Sequence, residues 1–356
     1  MKKCILLSFL ILLLIQDAQS QGCMAVRHIA GFGQYGQMEY NAGAGKWFLN
    51  VNNRYFKSYK TFIETKDQKT PKANQVINKV FTTDFTLLKL LDNGWSFALN
   101  VPFTANSRST TFEHGGKRHS THSFGLGDMR FTTYKWLLPT ATHQKGNIQL
   151  GVGIKLPTGD YKYQDYYFVN DSTKTLNPVD QSIQLGDGGT GILLELNSFY
   201  SISKKISLYQ NFFYMANPRE QNGVTTAKNA PLSPLSIKAG SDVMSVADQF
   251  TIRAGADFQF GKLGVEAGIR AEGVPVNDLI GGSEGLRRAG YNISIEPGIN
   301  YKIKNVLLYA YVPVSIQRSI SQSVTDKNIS KINGIRTVSP GGIPDYLVFA
   351  GVSFKL

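Results

Sequence analysis

Long apolar runs are almost absent from this chain. Of its 356 residues, only the stretch from position 4 to 15 is nearly unbroken hydrocarbon. A helix needs about 20 such residues to cross a bilayer, so no helical span is encoded. Cysteine is nearly absent too: Cys4 and Cys23 are the only two. Cys4 lies in the apolar leader, so Cys23 would stand alone and a disulfide scaffold is excluded. Acid is scarce relative to base, with 25 Asp and Glu against 38 Lys and Arg. Such an excess suits anionic partners. The basic residues are scattered along the chain rather than gathered on one element, which argues against nucleic acid.

The start, MKKCILLSFLILLLIQDAQS, has the form of a cleaved secretory signal covering residues 1–20. Lys2 and Lys3 precede the apolar core, and Ala18 and Ser20 put small residues where a signal peptidase reads. A retained N-terminal anchor is the alternative. Residue Cys23 lacks the preceding apolar residue of a lipoprotein site, so lipidation there is unsupported by its context. An exported chain without a helical span is either soluble outside the inner membrane or a β-barrel.

Alternation decides between the two. In NIQLGVGIKLPTGD, Ile148, Leu150, Val152, Ile154 and Leu156 occupy one parity, while Gln149, Gly151, Gly153 and Lys155 occupy the other. One face is oil, the other wet or bare. The same pattern recurs in about twelve runs, among them Trp47 to Tyr55, Phe81 to Leu91, Trp95 to Phe103, Phe250 to Phe260, Leu263 to Ala271, Tyr291 to Tyr301 and Tyr346 to Leu356. Each approaches or exceeds the roughly 9–11 residues of a tilted membrane strand. Tight turns at Asp92-Asn93-Gly94, Ser203-Lys204-Lys205, Gly261-Lys262 and Lys304-Asn305 alternate with long polar connections. Asn-Gly between alternating runs is a strong hairpin signal. The sequence therefore predicts an all-β, transmembrane, antiparallel up-and-down barrel of about twelve strands spanning residues 44–356. An even count with short turns on the periplasmic rim places both termini there. Trp47, Trp95, Trp136, Tyr200, Tyr214, Tyr291, Tyr301 and Tyr346 fall near strand ends and suit interfacial girdles. The Gly-rich segment 21–43 lacks alternation and is a candidate hatch in the lumen.

Parity then selects the residues that would line the pore: Asp128, Arg130, Lys155, Glu195, Arg253, Asp257, Glu266, Arg270, Glu296 and Lys302. Charges of both signs would face one another inside, either as ion pairs that satisfy each other or as a selectivity surface. Twelve strands lie between barrels filled by side chains and barrels with open channels, which predicts a narrow or partly plugged pore.

Several motifs carry less than they suggest. Both G-x-G-x-x-G matches, at 31–36 and 186–191, lack the strand before and helix after that a dinucleotide site needs. The histidines His114, His119 and His122 share a loop with Lys117 and Arg118 and read as a solvated surface rather than a metal site. His119-Ser120 and His122-Ser123 are sequence neighbours, which point to opposite faces of a strand and are poor catalytic partners. Neither a metal nor any other cofactor is implied, and an enzyme of the outer-membrane lipase type is the weakest alternative.

Three ordered pieces, GLGDMRFTTYKWLLP at 125–139, LGVGIKLPTGDY at 150–161 and QLGDGGTGILLELNSFYSIS at 184–203, resemble the bacterial outer-membrane family named for the meta-pathway of phenol degradation. That family is distantly similar to long-chain fatty-acid channels. The resemblance implies an outer-membrane transporter passing small hydrophobic or aromatic molecules. Its partners would be outer-membrane lipids, the solute and, during biogenesis, the barrel-assembly machinery. The long connections at 57–75, 161–183, 216–246 and 318–344 would present the capture surface, and Tyr161, Tyr163, Tyr166, Tyr167 and Phe168 form its aromatic cluster. The competing reading is a sealed structural or adhesive barrel whose loops bind a partner.

Overall fold

A computed structural model describes residues 22–23 and 39–356; the leader at 1–20 and most of the Gly-rich segment lie outside the described residues. Twelve strands form the wall: β1 (Trp47–Ser58), β2 (Ile77–Leu90), β3 (Trp95–Thr110), β4 (His119–Leu126 and Arg130–Trp136), β5 (Gly146–Lys155), β6 (Gly191–Ser201), β7 (Ile206–Ala216), β8 (Gln249–Phe260), β9 (Leu263–Val274), β10 (Gly290–Ile303), β11 (Val306–Tyr311 and Val314–Ile320) and β12 (Leu347–Lys355). Each pairs antiparallel with its neighbours in sequence, and β12 pairs with β1 to close the cylinder. Closure is what lets such a sheet stand in hydrocarbon, because an open edge would leave unpaired N–H and C=O groups there.

The alternation predicted from sequence is realised as an inside-out molecule. In β5, Ile148, Leu150, Val152 and Ile154 are exposed, whereas Gln149 and Lys155 are buried. Short turns gather at one end. The Asn93-Gly94 turn has both residues in the left-handed region, φ 55° and 75°, the geometry that matches the right-handed twist of the flanking strands. At this end two tryptophans sit opposite lysines across the ladder. Trp47 pairs with Lys89, whose ammonium lies 4.6 Å from the ring centroid, and Trp95 pairs with Lys135 at 5.1 Å. Trp136 departs from the expected girdle. It is buried inside the barrel, with Tyr40 at 4.7 Å and Phe199 at 5.9 Å between ring centroids.

Long connections gather at the other end. Two of them carry helices, α1 (Pro234–Ala239) and α2 (Val324–Asn333), which meet where Asn328 Nδ2 donates to the Ala239 carbonyl at 3.2 Å. The connection at 156–190 turns inward. Val179, Ile183 and Leu185 are buried, Asn106 Nδ2 and the Ser123 hydroxyl both donate to the Ile183 carbonyl, and Arg288 holds Asp180 at 2.8 Å. This segment roofs the lumen from the long-loop side.

Candidate functional site

The interior has two chemical halves. Along β11, β12, β1 and β2 it is apolar and aromatic: Leu307, Tyr309, Tyr311, Leu347, Phe349, Phe56 and Val80 form one cluster. Across β8 to β10 it is ionic. Arg253 contacts Glu296 at 2.5 Å, Arg270 contacts Glu272 at 2.7 Å and Glu296 at 3.6 Å, and Asn300 Nδ2 donates to both Asp257 and Glu266. The Arg253 guanidinium also lies 5.2 Å from the Tyr311 ring, so the two halves touch through a cation–π contact.

Nine of the ten pore residues expected from parity face the lumen, and most of them are engaged in structure. Arg130 pairs with Asp84 at 2.6 Å. Lys155 is clamped by Asp187 and lies 3.9 Å from Asp128. Glu195 accepts from the Tyr134 hydroxyl at 3.2 Å. Lys302 is the exception: it keeps inward parity but sits at the end of β10, exposed on the short-turn rim. Gly151 and Gly153, which by sequence might have left room for a solute, make room for the protein instead. A Cβ on Gly151 would lie 2.7 Å from the Tyr134 ring, and one on Gly153 would lie 2.5 Å from the Phe131 carbonyl oxygen.

Among the described residues the wall is discontinuous twice: in β11, whose Val314–Ile320 half ladders only with β10, and in β4. The Arg130–Trp136 half of β4 pairs with both β3 and β5, while among the described residues its His119–Leu126 half ladders only with β3, one residue out of register with the lower half. Strand β5 stops at the same level. Here the three sequence pieces that carried the family resemblance converge. Asp128 accepts the backbone N–H of Gly159 through one carboxylate oxygen and that of Asp187 through the other, both at 3.0 Å. The Thr158 hydroxyl accepts from Met129 N–H and donates to the Gly127 carbonyl, both at 2.8 Å. Gly159 and Gly186 are in backbone contact; a Cβ on Gly186 would lie 2.5 Å from the Gly159 carbonyl oxygen and from Asp128.

Next to this knot lies a cavity of about 60 Å³. It is a narrow slot, not an open bore. Its apolar lining is Phe56, Val80, Pro102, Leu185, Phe213 and Met215; Gly127, Asp128 and Lys155 bring it to the wall break, and Arg54 and Arg130 supply charge.

Beyond the break a hairpin, Gln164–Phe168 with Lys174–Pro178, stands beside the upper half of β4 where β5 no longer reaches. Side chains join the two. His122 N–H donates to the Asp165 carboxylate at 2.6 Å, the His119 ring stacks on Phe168 at 3.9 Å, and His114 stacks on Tyr167 at 5.3 Å. This corrects the expectation of a solvated histidine loop: His114 is buried, and only His122 is exposed. Burial pushes the His114 pKa down, and its Nδ1 accepts the Phe168 N–H at 3.3 Å. The aromatic cluster is divided. Tyr167 is fully buried, Tyr161 packs over Gly188 with Arg219 at 5.6 Å, and Tyr166 is exposed on the outside. Among the described residues no group of His, Cys, Asp and Glu is arranged to hold a metal ion.

No family model and no curated protein matches the chain. Among solved structures, an outer-membrane channel from Pseudomonas putida F1 is similar with a TM-score of 0.57 at 10% identity, covering 92% of this chain and 100% of that one. Weaker similarities, both with a TM-score of 0.42, are to a toluene transporter from Ralstonia pickettii (10% identity, 96% of this chain and 100% of that one) and to an autotransporter translocator domain from Neisseria meningitidis (7% identity, 89% and 90%). Identities this low establish architecture alone. The family label named for phenol degradation is not confirmed by these similarities; what they support is the fold, a closed, twelve-stranded antiparallel barrel of the outer-membrane type.

Proposed function

We propose that this protein is an outer-membrane channel for passive uptake of small hydrophobic or aromatic compounds, with its short turns in the periplasm and its long loops outside. One observation carries this reading: a half-apolar slot inside the closed barrel abuts the break in β4. A bore for polar solutes would be open and wet from end to end. Here the roof at 179–185 and the ion pairs close the axis, whereas the slot reaches the break at Gly127 and Asp128. A poorly water-soluble compound has reason to leave sideways into lipid, where apolar surface is favoured.

The segment at 21–43 is proposed as a stopper of the lower lumen. Its described parts support this. Gly22–Cys23 pairs with Gly341–Gly342 at the long-loop end, while Glu39 and Tyr40 lie inside the short-turn end. There Asn50 donates to Glu39, and Tyr40 donates to the His143 carbonyl at 2.8 Å. The solved structure that shares this fold with a TM-score of 0.57 is described as an outer-membrane channel, which is consistent with a channel here.

The test is uptake of a panel of aromatic and aliphatic compounds by cells with and without the protein, repeated with β4 and the hairpin cross-linked through His122→Cys and Asp165→Cys. Oxidation of that pair should suppress uptake and reduction should restore it. Equal uptake in all cells sinks the channel reading. The packed roof also favours a sealed adhesive barrel, and solute permeation in liposomes separates the two.

A further inference from the structure

The lipid-facing surface carries a second arrangement that the channel reading does not use. Across four adjacent strands the register places Lys57 of β1, Lys79 of β2, Ser107 of β3 and His122 of β4 side by side in one row, with Lys57 and Lys79 directly opposite each other. Both lysines are exposed, and among the described residues neither forms an ion pair. Like charges placed opposite on one face of a sheet repel. The Lys57 ammonium lies 5.5 Å from the Tyr59 ring centroid, a contact that leaves its charge uncompensated by any carboxylate among the described residues.

The row directly beneath, one step toward the short-turn end on the same face, is Tyr55, Phe81, Ala105 and Phe124. Its three aromatic side chains are exposed, Phe124 to 70%. Aromatic rings mark the boundary between hydrocarbon and headgroups. Depth agrees. From Trp47 to Lys57, at about 3.3 Å per residue and a strand tilt near 40°, the wall rises about 25 Å, the height of the apolar band of such barrels. The lysines therefore stand where acyl chains end and headgroups begin. On β7, β8 and β10 the lipid-facing residues near the same rim are Tyr214, Phe250 and Tyr291, with no cation among these three.

We propose that Lys57 and Lys79, with the aromatic row below them, form a binding site for a phosphorylated glycolipid of the outer leaflet. Its phosphate would bridge the two ammoniums and its acyl chains would lie over Tyr55, Phe81 and Phe124. Two cations held at ladder spacing present a site that one phosphate fills and a neutral sugar does not. The site rests on the outer-membrane placement but on no claim about transport.

The test uses the full-length protein in detergent, with diphosphoryl lipid A, its dephosphorylated form, phosphatidylglycerol and inorganic phosphate as probes, read by native mass spectrometry and thermal unfolding. Diphosphoryl lipid A should bind the unmodified protein and raise its unfolding temperature, and Lys57→Gln/Lys79→Gln should weaken binding about tenfold or more. Lys57→Arg/Lys79→Arg should retain binding, and Lys204→Gln/Lys205→Gln at the opposite rim should not change it. Equal binding by the Gln double variant, or equal binding of phosphatidylglycerol, overturns the site, as does a full effect from inorganic phosphate alone. Because both lysines point away from the lumen, folded Gln double variant should take up solute like the unmodified protein.

Discussion

Asp128 and Gly159 are 31 residues apart in sequence and joined by a 3.0 Å hydrogen bond from the glycine N–H to the aspartate carboxylate. The second oxygen of the same carboxylate takes the Asp187 N–H. One side chain thus ties the start of lower β4, the end of β5 and the approach to β6. Asp128→Ala strands two N–H donors, one of them fully buried, and should cost about 2–6 kcal/mol, at about 1–3 kcal/mol for each unsatisfied group. If the break is the exit, the same variant should leak: faster release of an aromatic dye from proteoliposomes, with the strand content of the far-ultraviolet spectrum retained, is the expected result.

Gly151 is the flat place over which Tyr134 reaches Glu195. Gly151→Ala drives a methyl group to 2.7 Å from the Tyr134 ring, and overpacking of this kind costs about 1–3 kcal/mol. Urea unfolding of protein refolded in detergent should show a lower midpoint. Gly151→Ala/Tyr134→Leu should recover part of the loss, because the clashing ring is gone.

Arg253 and Glu296 form a pair with almost no access to water. Arg253→Gln leaves a carboxylate buried beside Arg270 alone, and breaking one partner of such a pair costs about 3–5 kcal/mol. Arg253→Gln/Glu296→Gln should be the more stable of the two variants. If the double variant unfolds no later than the single, the pair is a surface for permeating ions rather than a brace.

His114 sets an expected pH response for the long-loop end. Its pKa is lowered from 6.5 by burial, partly offset by Glu113, with His119 and Arg108 acting in the same direction as burial. A histidine held neutral contributes stability that is complete above its unfolded value and shrinks as pH falls below it, since the unfolded chain takes the proton more readily. Protonation would also put an N–H at Nδ1, opposite the Phe168 N–H it now accepts. Hydrogen exchange at 111–123 and 164–168 should quicken between pH 7 and pH 5. In His114→Phe the step should be absent.

Strand parity was legible from residues 47–356 because a two-residue period allows only two faces, and the charged residues had to choose the inner one. The inward placement of nine of the ten residues named by parity follows from that alone. Lys302 escaped because parity says nothing about depth, and the last turn of a strand can stand outside the lumen. The break in β4 was hidden for a different reason. Its upper half, His119 to Leu126, alternates His, Thr, Ser and Phe without an apolar stripe, so it read as loop, and the lower half read as the whole strand. The glycines and Asp128 of the three family-like pieces were visible as motifs, but their common purpose required knowing that residues 128, 159 and 187 meet. Trp136 and His114 were misplaced by residue type: an indole near a strand end suggests an interface, and a histidine among lysines suggests water, yet each found a ring to pack against.

Among the described residues, the contact between β1 and β12 is the only ladder in the wall that joins partners distant in sequence; every other strand finds its mate next door. Eleven strands can thus accumulate hairpin by hairpin while both outer edges stay bare, and the seam is sewn when Leu347–Lys355 arrives. Synthesis from the N-terminus makes that strand the last to emerge, so an interrupted chain keeps nearly all of its local pairing and yet has no stable way to stand in oil.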